Sequence, residues 1–406
     1  MPTPSVADGV DAATPGVLLV TLWYGGTSNG VALVVESLAQ SLHHAGVPVV
    51  VLELVGDGWL PRTRPGTAGE EILSVCIRDP GTATTLPRRI AAHARAAIAD
   101  FVVRRAVRRR ALGVAHFHYG FAEYDVVRRI VQRAHLPIVA TFHGNDLGIN
   151  TDDPPTRGAI ERLVRAASVA TTVSDALGRR LVEIFPFAAP IARTIHNAVP
   201  AGFLHAVDAQ RSDADSARDI DVLFAGNLIP RKGVDVLLRA LAIVRERRPT
   251  LSAVIAGHGT ESAALESLAA QLALTDAVRF VGRQERDALV ALFRRARVAA
   301  VPSRAEPFGL VVVEAMVCGT AVVASEVGGI PEIAAQTGGV MLVPPDDPAA
   351  LAHAIVTLLD DPVRRETSAT TARANARRAF GPETIRDHYI DAYRVAVGMD
   401  GTMTPG

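Results

Sequence analysis

Lysine is almost missing from this chain. Of its 42 Lys and Arg residues in 406, only Lys232 is lysine, and all the others are arginine. Cysteine is nearly as scarce: Cys76 and Cys318 lie far apart, each beside apolar residues. Two such thiols fit a reducing compartment better than a disulfide, and the His and Cys spacing excludes a zinc-binding pattern. The formal net charge is zero, so no global field draws the chain to nucleic acid. No run of ~18 consecutive apolar residues is present, so no membrane-spanning helix is expected. The start, MPTPSVADGVDAATPG, lacks the basic and apolar regions of a signal peptide, which points to a cytoplasmic protein. Aromatics are only 5% of the chain, so the grouping of Trp23, Tyr24, His118, Tyr119, Phe121 and Tyr124 near strand ends stands out.

What is abundant is a rhythm. Short apolar runs bounded by Gly and Pro (GVLLVTLWY, VPVVVLELV, PIVATFHG, DVLFAGNL, LSAVIAGHG, VAAVPS) alternate with longer helical segments. Strands buried on both faces and joined by helices make parallel sheets. Two such series flank a polar stretch, HAVDAQRSDADSARD, which reads as a linker. The fold class expected is α/β, with two doubly wound, Rossmann-like domains facing a cleft. The boundaries read are residues 1–205, residues 206–380 and a final helical segment, 381–406.

The most informative segment is SRAEPFGLVVVEAMVCGTAVVASEVGGIPE. Pro307 suits a helix start but not a helix interior, so a helix begins near Phe308 or Gly309. Glu306 then sits in the loop before the helix, and Glu314 roughly 7–8 Å along it. The amides of Phe308, Gly309 and Leu310 at that terminus form an anion site. A carboxylate on each side suits hydroxyl-bearing groups flanking a diphosphate. Taken alone, the glutamates could equally be a helix cap and a core carboxylate paired with arginine.

The one lysine lies in GNLIPRKG, in a loop between a strand and a helix. An arginine-biased chain that keeps lysine at one place suggests a site for a compact point charge on phosphate.

Together these motifs resemble the retaining GT-B glycosyltransferases of family four. EPFGLVVVE fits that family's E-x(7)-E signature, GNLIPRKG its phosphate loop and TFHGND its His-Gly-x-Asp loop, with TVSDAL and HNAVP following in order. The resemblance implies a hexosyltransferase that moves sugar from a nucleoside diphosphate sugar, UDP favoured over GDP, to a hydroxyl acceptor. That acceptor would be a sugar, a lipid-linked group or a small molecule. It implies Glu306 at the sugar, Glu314 at the ribose, Gly257 near the base, His143 against the transferred sugar, and Asp146 with Asn145 near the acceptor. It also implies that the final helix returns to the N-terminal domain. Family members commonly carry Arg after the strand glycine, where this chain has Asn227; Arg231 either supplies that guanidinium or faces solvent. No Asp-x-Asp motif sits at a strand end, and Asp346–Asp347 before Pro348 reads as a helix cap, so metal-independent chemistry with no cofactor is expected. An epimerase of the same fold and a non-catalytic nucleotide-sugar-binding protein are the alternatives. A donor-only assay and an acceptor panel separate them.

In the N-terminal half, Gly25 and Gly26 of GGTSNG allow close approach to phosphate or sugar, and a structural turn would need them equally. Tyr24, His118 and Tyr119 are acceptor-side candidates that could equally line the core. Residues 87–110 carry eight arginines, with Ile90, Ala94, Ala97 and Phe101 on one side. That segment is either an interfacial helix meeting anionic lipid at the inner face of a membrane or a solvated helix face. The Ala and Arg content suggests a GC-rich bacterial source.

Overall fold

The structure, a computed structural model, describes residues 14–22, 24, 30–56, 60–77, 85–148, 151, 153–210 and 218–399. The chain divides into two compact units, one of residues 1–198 and 382–406, the other of residues 199–381.

The first unit is built on β1 (Gly16–Thr21), β2 (Val49–Leu54), β3 (Arg62–Pro65), β4 (Glu71–Val75), β5 (Leu112–His118), β6 (Ile138–Phe142), β7 (Val169–Thr172) and β8 (Ala192–Thr194). Their order is β3-β4-β2-β1-β5-β6-β7-β8, parallel except for the β3–β4 pair. Every residue of β1 and β6 is buried, which explains their unbroken apolar runs. The crossovers are α1 (Gly30–His44), α2 (Leu86–Arg109), α3 (Tyr124–Arg133), α4 (Pro154–Ala166) and α5 (Asp175–Ile184). Ser174 caps α5 by accepting from the Leu177 amide.

The second unit opens with α6 (Ala201–Ala209), so the first ends at Ala198 rather than at residue 205. Phe203 of α6 meets Phe293 edge-on, and the Arg294 side chain donates to the Val207 carbonyl, tying α6 to this unit. Its sheet holds β9 (Ile220–Ala225), β10 (Ala253–Ala256), β11 (Val278–Gly282), β12 (Ala296–Val301), β13 (Ala321–Ser325) and β14 (Val340–Val343). The order is β11-β10-β9-β12-β13-β14, and every described pair is parallel. The helices are α7 (Val234–Arg247), α8 (Ser262–Gln271), α9 (Arg286–Arg295), α10 (Leu310–Val317), α11 (Ile330–Thr337), α12 (Pro348–Asp360) and α13 (Pro362–Ala379). Asp347 caps α12, whereas Asp346, read with it as a cap, instead binds Arg304 at 2.6 Å.

The final helix, α14 (Pro382–Ala396), belongs to the first unit and places Ile385, Tyr389, Ile390 and Tyr393 in its core beside Val17, Leu38 and Val139. Both thiols are free, Cys318 buried and Cys76 half-buried. Among the described residues no helix is long and apolar enough to cross a membrane.

Candidate active site

In the second unit, β9 and β12 are parallel neighbours, so the loops after them leave the same edge of the sheet. Those loops carry Lys232 and Glu306. The Lys232 ammonium pairs with the Glu306 carboxylate, and their side chains are only 15% and 11% exposed. Lys232 ends a short 3-10 turn, Pro230–Lys232, just before α7.

Arg304 holds this turn. Its own amide donates to the Arg231 carbonyl at 2.8 Å. Its guanidinium donates to the Pro230 carbonyl at 2.7 Å and to both Asp235 oxygens, at 2.9 and 2.8 Å. Arg231 is half-buried in the turn, and Asn227 is exposed.

A second restraint fixes Glu306 from below. The Gly329 amide donates to the Glu306 carbonyl at 3.2 Å. Gly328, at φ +56°, lies so close that a Cβ there would come within 1.7 Å of that carbonyl oxygen. Any side chain at 328 would therefore displace the EPFG loop.

Helix α10 starts at Leu310 with Gly309 as its cap, as Pro307 suggested. Phe308, whose amide is expected at the donor, turns its ring into the core at 5.5 Å from Phe380 and is 2% exposed. Its main chain alone remains for a ligand. Glu314, in the second turn of α10, is half-buried. Burial pushes its carboxyl up to about 7, against the opposing pull of Lys232 and Arg286. The one lysine is thus shared: it contacts the first glutamate and acts electrostatically on the second.

Gly257 was assigned to the base. The structure supplies a packing reason for it, since a Cβ there would lie 1.8 Å from the Gly226 carbonyl oxygen. The loop after β10 rests directly on the loop after β9.

In the first unit, His143 follows β6. Asp146, expected near the acceptor, is fully buried and spends its carboxylate on the loop itself. It accepts from the amides of Gly144 at 2.7 Å and of His143 and Leu147 at 3.1 Å. Asp146 therefore shapes the loop, while Asn145 beside it is exposed. Burial raises the Asp146 carboxyl to about 6, partly offset by those amides.

His118 Nδ1 lies 3.2 Å from His143 Nε2, and the two rings stack. His116 packs against His118 with ring centroids 4.0 Å apart. Its Nδ1 meets the Tyr393 hydroxyl at 2.8 Å and its Nε2 the Thr141 hydroxyl at 2.6 Å. Burial drives all three imidazoles down, His143 to about 3, so each is neutral at pH 7. His118 Nε2 and His143 Nδ1 are buried with no hydrogen-bond partner among the described residues.

Tyr119 lies against His143 at 5.1 Å in the left-handed region, φ +74°. His118 is fully enclosed, so it reaches a ligand only through His143. Tyr24, expected on the acceptor side, is a core residue 3% exposed whose hydroxyl donates to Glu70 at 2.6 Å. Gly25 and Gly26 lie outside the described residues. Arg304, Arg286, Gly328 and Tyr393 were not singled out from sequence. Arg304 alone had a local signal, standing two residues before Glu306 in an invitingly polar SRAE turn.

Two family models match the chain: Glycosyltransferase Family 4 over residues 28–203 and Glycosyl transferases group 1 over residues 208–378. Glycogen synthase from Mycobacterium tuberculosis is 30% identical over 391 residues, covering 90% of this chain and 92% of its own. D-inositol 3-phosphate glycosyltransferase from Acidothermus cellulolyticus is 31% identical over 398 residues, covering 92% and 87%. Among solved structures, sucrose-phosphate synthase from Thermosynechococcus elongatus aligns with a TM-score of 0.71 at 23% identity, over 95% of this chain and 100% of that one. Anabaena Alr3699/HepE in complex with UDP and glucose aligns with a TM-score of 0.70 at 21% identity, over 92% and 98%. These last two share the fold.

Proposed function

The chain belongs to the glycosyltransferase group 1 family and has the GT-B architecture, and from that premise we propose that it moves a hexosyl group from a nucleoside diphosphate sugar to a hydroxyl acceptor, with retention of configuration and without a metal ion. The carrying observation is the single lysine, which pairs with Glu306 in the loop before α10 and acts electrostatically on Glu314 within that helix. A diphosphate bound there meets Lys232, Arg231 and the first amides of α10, which stabilise the charge that develops as it leaves. Lys232 exchanges Glu306 for phosphate, and the released carboxylate accepts from the sugar hydroxyls. Glu314 accepts from the ribose hydroxyls. The neutral His143 offers its ring nitrogen to a sugar hydroxyl and carries no charge. The acceptor oxygen bonds to the anomeric carbon on the face the diphosphate leaves, and its proton passes to a diphosphate oxygen. A UDP sugar is the donor proposed first, because UDP is the nucleotide in the Anabaena neighbour.

A donor and acceptor panel run with and without chelator tests this reading. Turnover is expected to survive the chelator unchanged. Loss of activity that magnesium restores would refute metal independence.

Glu314 adds a pH signature. Its carboxyl is neutral below about 7 in the free protein, and hydroxyl donors favour the carboxylate. Donor affinity is expected to fall as pH drops through 7, by up to ~10-fold per unit. Glu314→Gln is expected to bind donor weakly and with a flat profile. Titrating the intact nucleoside diphosphate sugar, whose doubly esterified diphosphate does not titrate in this range, by calorimetry between pH 5.5 and 8.5 measures both, and a sloping profile in the variant would remove Glu314 from the ribose.

A further inference from the structure

Helix α2 has apolar residues on two opposite faces. Ala92, Ala99, Val103 and Ala106 are buried on the inner one. On the other, Leu86, Ile90, Ala94, Ala97 and Phe101 recur at the three- and four-residue steps of one helical stripe, and all five are exposed. Leu86 is 70% exposed, Ile90 61% and Phe101 66%.

The charge on the same helix has one sign. Its 24 residues hold seven arginines and a single carboxylate, Asp100, which is already paired with Arg104 and Arg133. Arg105 and Arg108 make no ion pair among the described residues and are exposed. The outer stripe runs from Phe101 straight into this basic end, where Phe101 and four arginines line one shallow groove.

We infer that α2 docks the protein on an anionic phospholipid surface. The helix, ~36 Å long, lies in the plane of the headgroups. Leu86, Ile90 and Phe101 enter the boundary with the acyl chains, and Arg105 and Arg108 reach lipid phosphates. A second copy of the helix brings seven more arginines and no available carboxylate, so charge favours lipid over self-association. The inference stands apart from the donor assembly, since none of these residues belongs to it.

Vesicle sedimentation with the full chain tests it. The protein is expected to sediment with phosphatidylcholine vesicles containing phosphatidylglycerol, not with pure phosphatidylcholine, and to be released by salt. Arg105→Glu with Arg108→Glu is expected to lower partitioning by more than about 10-fold. Ile90→Ser with Phe101→Ser is expected to lower it comparably while removing no charge, and Phe101→Trp emission is expected to shift blue on anionic vesicles. Melting temperature and donor turnover in solution should stay at wild-type values in all three. Failure of the wild type to sediment, or wild-type partitioning by both double variants, overturns the inference. So does a dimer in solution that the Ile90→Ser, Phe101→Ser protein no longer forms.

Discussion

Lys232→Ala is expected to turn over donor on the order of 10²- to 10³-fold more slowly, the scale of losing one positioned charge on a developing anion. Its stability should fall too. The Lys232–Glu306 pair is largely shielded from water, and removing one partner of such a pair typically costs ~3–5 kcal/mol by stranding the other. Activity and stability separate in a double variant. Lys232→Ala with Glu306→Gln is expected to recover melting temperature while turnover stays low. Lys232→Arg is the sharper experiment in a chain that uses arginine everywhere else. A planar guanidinium is broader than an ammonium, and the turn that holds Lys232 is pinned by Arg304, whose guanidinium is itself fixed by Asp235. Little rescue is expected. Steady-state kinetics on the three proteins decides the matter, and wild-type turnover by Lys232→Arg would refute the argument from lysine's uniqueness.

The first unit is expected to lose stability steeply in mild acid. His116, His118 and His143 are held neutral by burial, well below the ordinary imidazole value. On unfolding each regains a value near 6.5. Below that pH the unfolded chain binds up to three more protons than the native one at these sites, so their stabilisation, full at higher pH, is lost as pH falls. Asp146 works the other way. Its native value near 6 exceeds the unfolded ~3.9, so between these limits the native chain holds one extra proton. The net difference is two protons, a slope of about 2.7 kcal/mol per pH unit around pH 5–6. Urea unfolding at pH 7, 6 and 5, followed by a first-unit tyrosine signal, measures it. A flat response would mean that the imidazoles are hydrated or charged in the native state. Glu314 in the second unit has the opposite sense, since a raised carboxyl loses its native advantage as pH rises through about 7.

Local chemistry was legible and distant pairing was not. Pro307 and Gly309 set the start of α10 through backbone geometry within a few residues, so the placement of Glu306 and Glu314 was readable from spacing. The contact between Lys232 and Glu306 spans 74 positions and exists because β9 lies beside β12; the composition marked the lysine but could not identify its partner. Asp146 shows a different limit. A carboxylate after His-Gly-Asn serves a ligand or the loop's own amides with the same residue type, and only the hydrogen bonds distinguish them. Tyr24 stayed open between acceptor and core because a strand-end aromatic looks alike whether it faces solvent or Glu70. The edge of the first unit moved because α6, polar toward its end, still anchors Phe203 against Phe293.

Because α14 completes the core of the first unit, the earliest-made half of the polypeptide cannot close when it leaves the ribosome. Ala198 emerges well before Pro382, and at ~5–20 residues per second the wait is roughly ten to forty seconds. During that interval the sheet face over β6 and β7 that will receive α14 is bare, and His116 lacks the phenol that will meet it. Vectorial synthesis therefore leaves a nascent intermediate in need of chaperone shielding, and a stop codon shortly before the last helix would harm the opposite end of the gene product most.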